Sequence, residues 1–259
     1  LRCKYMAAYL IHTFPKPVIC WADGAVRGAG LGLMAGASHR IVTERSRLSV
    51  AEASIGLVPT AGAGWYLAQM PGHTGLFAAL TGIELGPGDA LYAGLADYCW
   101  ESASKASLLN SLLALSWEDD PQSNRELLTD TLTDWEVEQG VSLRDAPLKA
   151  HRSWIDKHCE PGCAATLKAA LQRDARPHNW LGQALAGNER AAASALKLIV
   201  RQFAHCRGLG LADVFRLEMV LAANRLRDPE FAEGVRARFK DRDESPNWCY
   251  RSVDEVPEE

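Results

Sequence analysis

The chain has 259 residues, 47% of them hydrophobic and 23% charged, the balance of a sequence that buries a core and not of one that stays disordered. Lys and Arg number 28 against 32 Asp and Glu, for a formal charge of −4, and no basic block is present to track a phosphate backbone, which argues against nucleic acid as a ligand. Asp23, Arg27 and His39 interrupt the most apolar stretch before it reaches the length of a membrane span.

Leu1 to Phe14 read as an amphipathic helix, without the charged-then-apolar order of a secretion signal. After Pro15 and Pro17, the apolar run Val18 to Ala22 reads as a buried strand that ends at the turn dipeptide Asp23-Gly24. Arg27-Gly28-Ala29-Gly30-Leu31-Gly32-Leu33 then forms a glycine turn. It runs into Met34-Ala35-Gly36-Ala37, small residues that let a helix lie close on a sheet. His39 to Thr43 and Arg47 to Val50 are two further short strands, and the alternation predicts a parallel α/β layer. Ala51 to Thr60 reads as a loop holding one carboxylate, Glu52. Gly62-Ala63-Gly64-Trp65 opens a helix through Met70, helices Gly75 to Leu80 and Pro87 to Gly94 follow, and Asp97 to Trp100 is a last strand.

From Glu101 the pattern turns helical. Leu196, Ile199, Val200 and Phe203 recur at helical spacing after Asn188, read as an N-cap. A helix from Leu211 to Leu226 carries Asp213 near its start and Arg225 and Arg227 near its end, as the helix dipole favours. Glu118 to Arg176 is polar with only moderate periodicity.

The glycine stretch has two physical uses. As Gly28-x-Gly30 between strand and helix, with Glu44 beyond the next strand, it imitates a dinucleotide fingerprint, but Leu33 stands where the third glycine belongs and the following segment is short for a crossover helix. The other use is an oxyanion hole, a backbone N–H at a helix N-terminus aimed at developing negative charge. Small residues there let a reacting group approach the backbone. Glu52, at a strand end and flanked by Ala51 and Ala53, is the reactive group placed to meet it.

Other candidates read as structural. The seven cysteines (Cys3, Cys20, Cys99, Cys159, Cys163, Cys206, Cys249) are scattered and odd in number, as reduced thiols would be. His158 with Cys159 and Cys163 lacks the second ligand pair of a zinc site, so a loop with two free thiols is preferred. His39 and His73 are not spaced with a Ser or Cys nucleophile and an acid.

Lys16-Pro17-Val18, Asp23-Gly24, Gly28 to Leu33, His39-Arg40, Thr43-Glu44, Glu52, Ile55-Gly56-Leu57, Pro59, Gly62 and Gly64 together resemble the signature of the crotonase (enoyl-coenzyme A hydratase/isomerase) superfamily, and within it the 3-hydroxyisobutyryl-coenzyme A hydrolase branch. Leu80-Thr81-Gly82, Ala90 and Ala93 to Ala96 extend the likeness. So do Asp228, Phe231, Glu233 to Ala237, Asp241-Arg242-Asp243 and Pro246-Asn247-Trp248, with weak similarity between Glu101 and Arg190.

The resemblance implies an α/β fold: a crotonase-like ββα spiral core, truncated at its N-terminus, over residues 1–100, and a helical C-terminal region over 101–259 completing the same domain. The implied activity is hydrolysis of a short-chain acyl-coenzyme A thioester, as in valine catabolism. By the same likeness the Ala29 N–H is one oxyanion donor, where Gly is usual, and Glu52 is the nucleophile or the base that activates water. Thr60, eight residues after Glu52, stands where the hydrolase branch has Asp, and orients a hydroxyl or water. Gly28, Gly30, Gly32, Gly56 and Arg242 are the implied substrate contacts, Arg242 toward a coenzyme A phosphate. Gly32 occupies the position where hydratases commonly carry a second catalytic Glu, which favours hydrolysis over hydration. Trp65 and Met70 would be core or acyl-pocket wall.

No metal and no other cofactor is implied; coenzyme A enters as part of the substrate. The expected partners are a short-chain acyl-coenzyme A and, in a homo-oligomer, further copies of the chain, with no nucleic acid and no membrane. The expected location is the cytoplasm or the mitochondrial matrix. The first strands, the second oxyanion N–H and most of the adenine pocket would lie upstream of Leu1, so this chain alone is expected to be weak or inactive. Two other readings are an enoyl-coenzyme A isomerase with Glu52 as proton shuttle, and a non-catalytic crotonase-like subunit kept for protein contacts.

Overall fold

The computed structural model describes residues 1–141, 145–160 and 164–258. Helix α1 (Arg2–His12) leads into strand β1 (Ile19–Ala22), followed by β2 (Ala25–Arg27), helix α2 (Ala29–Gly36), β3 (His39–Thr43) and β4 (Arg47–Ser49). The parallel layer exists, divided into two sheets. One has the order β1-β3-β5, where β5 is Tyr98–Trp100, and the other pairs β2 with β4. Ile19 lies opposite His39 and Ile41 opposite Tyr98, all in parallel register.

The central strand β3 buries Ile41, Val42 and Thr43 completely, as an apolar run covered on both faces should. The turn after β1 is closed by side chains. The Thr43 hydroxyl donates to Asp23 Oδ1 at 2.8 Å, and Ser46 donates to the Ala22 carbonyl at 2.6 Å. Gly24 there has φ +88°, a conformation in which a side chain would be strained. Strand β2 is an element that the sequence reading passes over: three residues between this turn and the glycine stretch show no alternation.

A short 3-10 turn, Glu52–Ile55, follows β4, and Ala51 to Thr60 is therefore not loop throughout. The helix expected to run through Met70 is α3 (Ala63–Tyr66) with a 3-10 turn after it, Leu67–Gln69. Helices α4 (Thr74–Thr81) and α5 (Pro87–Tyr92) come next. Beyond β5 come α6 (Lys105–Leu113), α7 (Pro121–Gln139), α8 (Pro147–Ala150), α9 (Arg152–His158) and α10 (Ala164–Asp174). The chain then forms α11 (Trp180–Arg190), α12 (Ala193–Cys206), α13 (Leu211–Arg225) and α14 (Pro229–Val235).

Asn188 is not an N-cap. It lies inside α11, 2% exposed, and its amide donates to the Leu80 carbonyl at 3.0 Å. The helix bearing Leu196 begins only at Ala193, and α11 takes its cap from Asn179, which accepts from Gly182 at 2.7 Å. The weakly periodic region holds α7, 19 residues long, started by Asp120 as N-cap and Pro121 at the first position.

The main core runs from Ala22 and Leu31 through Phe77 and Leu80 to Ile155, Leu181, Leu196 and Ile199, so residues before and after position 100 share one apolar interior. A second cluster, Ile41, Trp100, Leu108, Leu128 and Leu132, packs α6 and α7 on β3 and β5. A third, Tyr5, Ala8, Ala61, Phe215 and Ala222, ties α1 to α13.

Candidate active site

Gly28 caps α2 with φ +54° and ψ −123°, backbone angles suited to glycine. Its carbonyl accepts from Leu31 at 3.0 Å and Gly32 at 3.3 Å. The N–H groups of Ala29 and Gly30 fall in the first turn, where no helical carbonyl accepts them, and the helix dipole adds positive potential there. A Cβ added at Gly28 would lie 3.5 Å from Glu52 Oε1. The glycine turn and the carboxylate, distant in sequence, are therefore neighbours in space.

Glu52 is 8% exposed, and neither carboxylate oxygen has a hydrogen-bond partner among the described residues. Burial pushes its carboxyl up to about 7, while its own backbone, the charge of Lys4 and the Thr60 backbone pull weakly the other way. Such a group exchanges protons near neutral pH, as general acid–base chemistry requires.

The 3-10 turn that presents Glu52 is braced from behind. Arg225 Nε donates to the Gly56 carbonyl at 2.8 Å, and the guanidinium pairs with Asp228 at 2.8 Å and Glu230 at 3.2 Å. Gly56 has φ +70°, and a Cβ there would sit 2.8 Å from the Glu230 carbonyl oxygen. Gly56 thus serves this brace and does not border the cavity beside Glu52. Gly32 is likewise a packing glycine, since its Cβ would meet the Ala61 oxygen at 2.4 Å, and a Cβ at Gly30 would touch only Val26 at 3.9 Å.

A cavity of about 640 Å³ opens beside Glu52, and Gly28 and Glu52 both line it. Thr81, Gly82 and Ile83 form part of its wall, and Arg27, Arg190 and Arg238 line it together with Glu84. Arg27 pairs with Glu84 at 3.3 Å and Arg238 with Glu244 at 2.6 Å. Arg242 is exposed with φ +58° and does not line the cavity. The cavity arginine of that segment is Arg238, at the π-helical turn after α14. Trp65 is 36% exposed and Met70 buried, and neither lines the cavity.

Thr60 is buried in the turn before α3, behind Glu52 and outside the cavity lining. The Tyr5 hydroxyl is buried there too, without a hydrogen-bond partner among the described residues. Its ionisation is pushed up first by burial and then by Glu218 and Glu52, with the Ala61 backbone and the Thr60 hydroxyl opposing. Sequence reasoning misses Tyr5, Glu218 and the three arginines. Glu218 leaves a signal: it falls on the buried stripe Val214, Glu218, Ala222, Arg225 of α13, where a charge is out of place.

The remaining candidates have structural partners. Glu44 accepts from the Ser102 N–H at 2.8 Å, His39 meets Ser38 at 2.9 Å and Thr129 at 3.0 Å, and the His73 N–H donates to Asp156 at 2.8 Å. Cys159 is buried and Cys163 lies outside the described residues. Among the described residues no group of three His, Cys, Asp or Glu is placed to hold a metal ion, and no helix is long and apolar enough to cross a membrane.

The parallel α/β layer followed by a helical C-terminal region has the crotonase fold. The Enoyl-CoA hydratase/isomerase family profile matches residues 1–259, and the chain belongs to that family. The mitochondrial 3-hydroxyisobutyryl-CoA hydrolase of Gallus gallus is 30% identical over 259 residues, covering 100% of this chain and 66% of its own length. Small ribosomal subunit protein mS47 of Neurospora crassa is 28% identical over 266 residues, covering 98% of this chain and 52% of that protein. The crystal structure of an enoyl-CoA hydratase from Rhodobacter sphaeroides 2.4.1 superposes with a TM-score of 0.81 at 29% identity, over 99% of this chain and 70% of that one. The chain thus spans just under two thirds of the hydrolase relative.

Proposed function

We propose that this chain carries the glutamate and one oxyanion donor of an acyl-coenzyme A thioesterase, acting on 3-hydroxyisobutyryl-coenzyme A or a close short-chain analogue. The carrying observation is Glu52, buried, unpartnered among the described residues and pushed up to about 7 beside the Gly28 cap. The thioester carbonyl sits at the N-terminus of α2, where the Ala29 N–H and the helix dipole stabilise the oxyanion. Ionised Glu52 takes a proton from water, and the resulting hydroxide adds to the carbonyl carbon. Collapse of the tetrahedral intermediate breaks the C–S bond, and the departing thiolate takes the proton back from Glu52. Thr60, through its backbone and hydroxyl, orients the groups behind Glu52.

Arg27, Arg190 and Arg238 of the cavity wall suit an anionic ligand such as coenzyme A. No metal or further cofactor enters this scheme. The mitochondrial hydrolase relative supports a matrix location, and self-association belongs to the same reading.

Hydrolysis is followed by thiol release from 3-hydroxyisobutyryl-coenzyme A, with Glu52→Gln as control. Turnover that is lost in Glu52→Gln supports the reading; turnover unchanged in that variant refutes it. A second reading is a non-catalytic subunit. Thr60 in place of Asp and the likeness to mS47 favour it. Thr60→Asp separates the two: a gain of hydrolysis supports the thioesterase, whereas no turnover in either form and no heat of coenzyme A binding supports the subunit.

A further inference from the structure

Helix α13 places a carboxylate where nothing in the reaction scheme uses it. Glu218 is 0% exposed. Its Oε2 accepts the Gly62 N–H and its Oε1 the Gly64 N–H, each at 2.7 Å, and Gln202 Nε2 reaches Oε1 at 3.3 Å and the Pro59 carbonyl at 3.0 Å. No Lys, Arg or His among the described residues forms an ion pair with it. An uncompensated buried charge is a costly way to cap a turn.

The turn it holds is itself constrained. Ala61 has φ +62° and Gly62 φ +87°, and the turn approaches α2 so closely that a Cβ at Gly32 would meet the Ala61 oxygen. Two backbone donors on two oxygens suit a carboxylate, because an amide offers one acceptor oxygen and turns its NH₂ toward an N–H.

We propose that Glu218 is a positioning residue of the Glu52 site: by locking Gly62 and Gly64 it holds the Pro59 to Gly64 turn against α2 and sets Thr60 beside Glu52. This rests on the functional reading of Glu52. The titratable groups around Glu218 and its turn are Glu52 from the 3-10 turn, Tyr5 and His12 from α1, Tyr66 from α3 and Cys206 from α12, with Lys4 acting on Glu52; His12 packs on Gly62 and Phe215, and burial pushes its imidazole down. Burial pushes Glu218 up to about 7, and the charge of Glu52 adds to that rise. The charge of Glu52 is therefore felt at Glu218, after burial and the two glycine N–H bonds.

The test is an NMR pH titration that needs no substrate. The Gly62 and Gly64 amides report Glu218, and the Thr60 amide reports the turn. In the unaltered chain all three move together near neutral pH. In Glu52→Gln the Gly62 and Gly64 midpoint falls by about half a pH unit or more, the loss of one neighbouring buried charge. In Glu218→Gln the Thr60 resonance shifts and its neutral-pH step is reduced. An unmoved Gly62 and Gly64 midpoint in Glu52→Gln makes Glu218 a simple turn cap and overturns the proposal, and this comparison stands even if Glu218→Gln does not fold. A chain that hydrolyses no thioester but shows the linked titration sinks the hydrolase reading and leaves the hold on the turn. Hydrolysis with independent titrations does the reverse.

Discussion

Glu52→Gln is expected to stabilise the fold, and to do so only above the ordinary carboxylate range. The carboxyl of Glu52 is pushed from 4.5 up to about 7, chiefly by burial. A carboxyl whose folded value is raised favours folding while protonated. That contribution is complete below about 4.5 and is lost as pH rises through about 7. At about 1.36 kcal/mol per pH unit, the loss amounts to about 3 kcal/mol at about pH 8. Gln carries no charge and escapes this loss, whereas any penalty from burying its amide is independent of pH. Urea unfolding of both proteins at several values between about pH 4.5 and 8 isolates the effect. The stability difference should be small or slightly unfavourable to Gln at the acid end and swing toward Gln by about 3 kcal/mol at the alkaline end. A difference constant across that range would refute the claim that Glu52 is held as an uncompensated buried carboxyl.

Three further outcomes rest on named contacts. Ala29→Pro removes the N–H at the first position of α2 that the proposed mechanism uses for the oxyanion, a position where proline is tolerated; any thioester turnover should fall about a hundred- to a thousand-fold with the urea midpoint nearly unchanged. Gly56→Ala combines φ +70° with a Cβ 2.8 Å from the Glu230 oxygen and should cost about 1–3 kcal/mol in urea unfolding. Arg225→Ala leaves Glu230 buried beside Gly56 without its cation and should cost about 3–5 kcal/mol, more than removal of any exposed arginine.

A feature of this molecule is legible in the chain to the extent that its cause lies nearby in sequence. Strands β1, β3 and β5 are short apolar runs between turn residues, so their existence is written locally, although β3 is largely buried while β1 buries only Ala22 fully. The three residues of β2 have no such frame. Asn188 misleads because an amide before a periodic run looks like a cap; only the distant Leu80 carbonyl explains it. At the site, Gly28 and Glu52 stand out because each sits where a strand gives way to the next element. Gly56 and Arg242, expected from the resemblance as substrate contacts, lie outside the cavity lining, because their surroundings depend on α14 and its π-helical turn, which no local pattern brings to the 3-10 turn. Arg238 becomes visible as a cavity residue only through that packing.

Glu52 and Glu218 show why burial alone does not mark a reactive group. Both are carboxyls in apolar surroundings, both pushed up to about 7. Glu218 has committed both of its oxygens to Gly62, Gly64 and Gln202, so it is held in place by a turn and not aimed at a ligand. Glu52 has made no such bond among the described residues, and it lines the cavity that Glu218 does not reach. Unsatisfied acceptors on a buried carboxyl lower stability, and the fold bears that cost at the one of the two carboxyls that a ligand can approach. The satisfied carboxylate fixes the geometry, and the unsatisfied one is left free to exchange a proton.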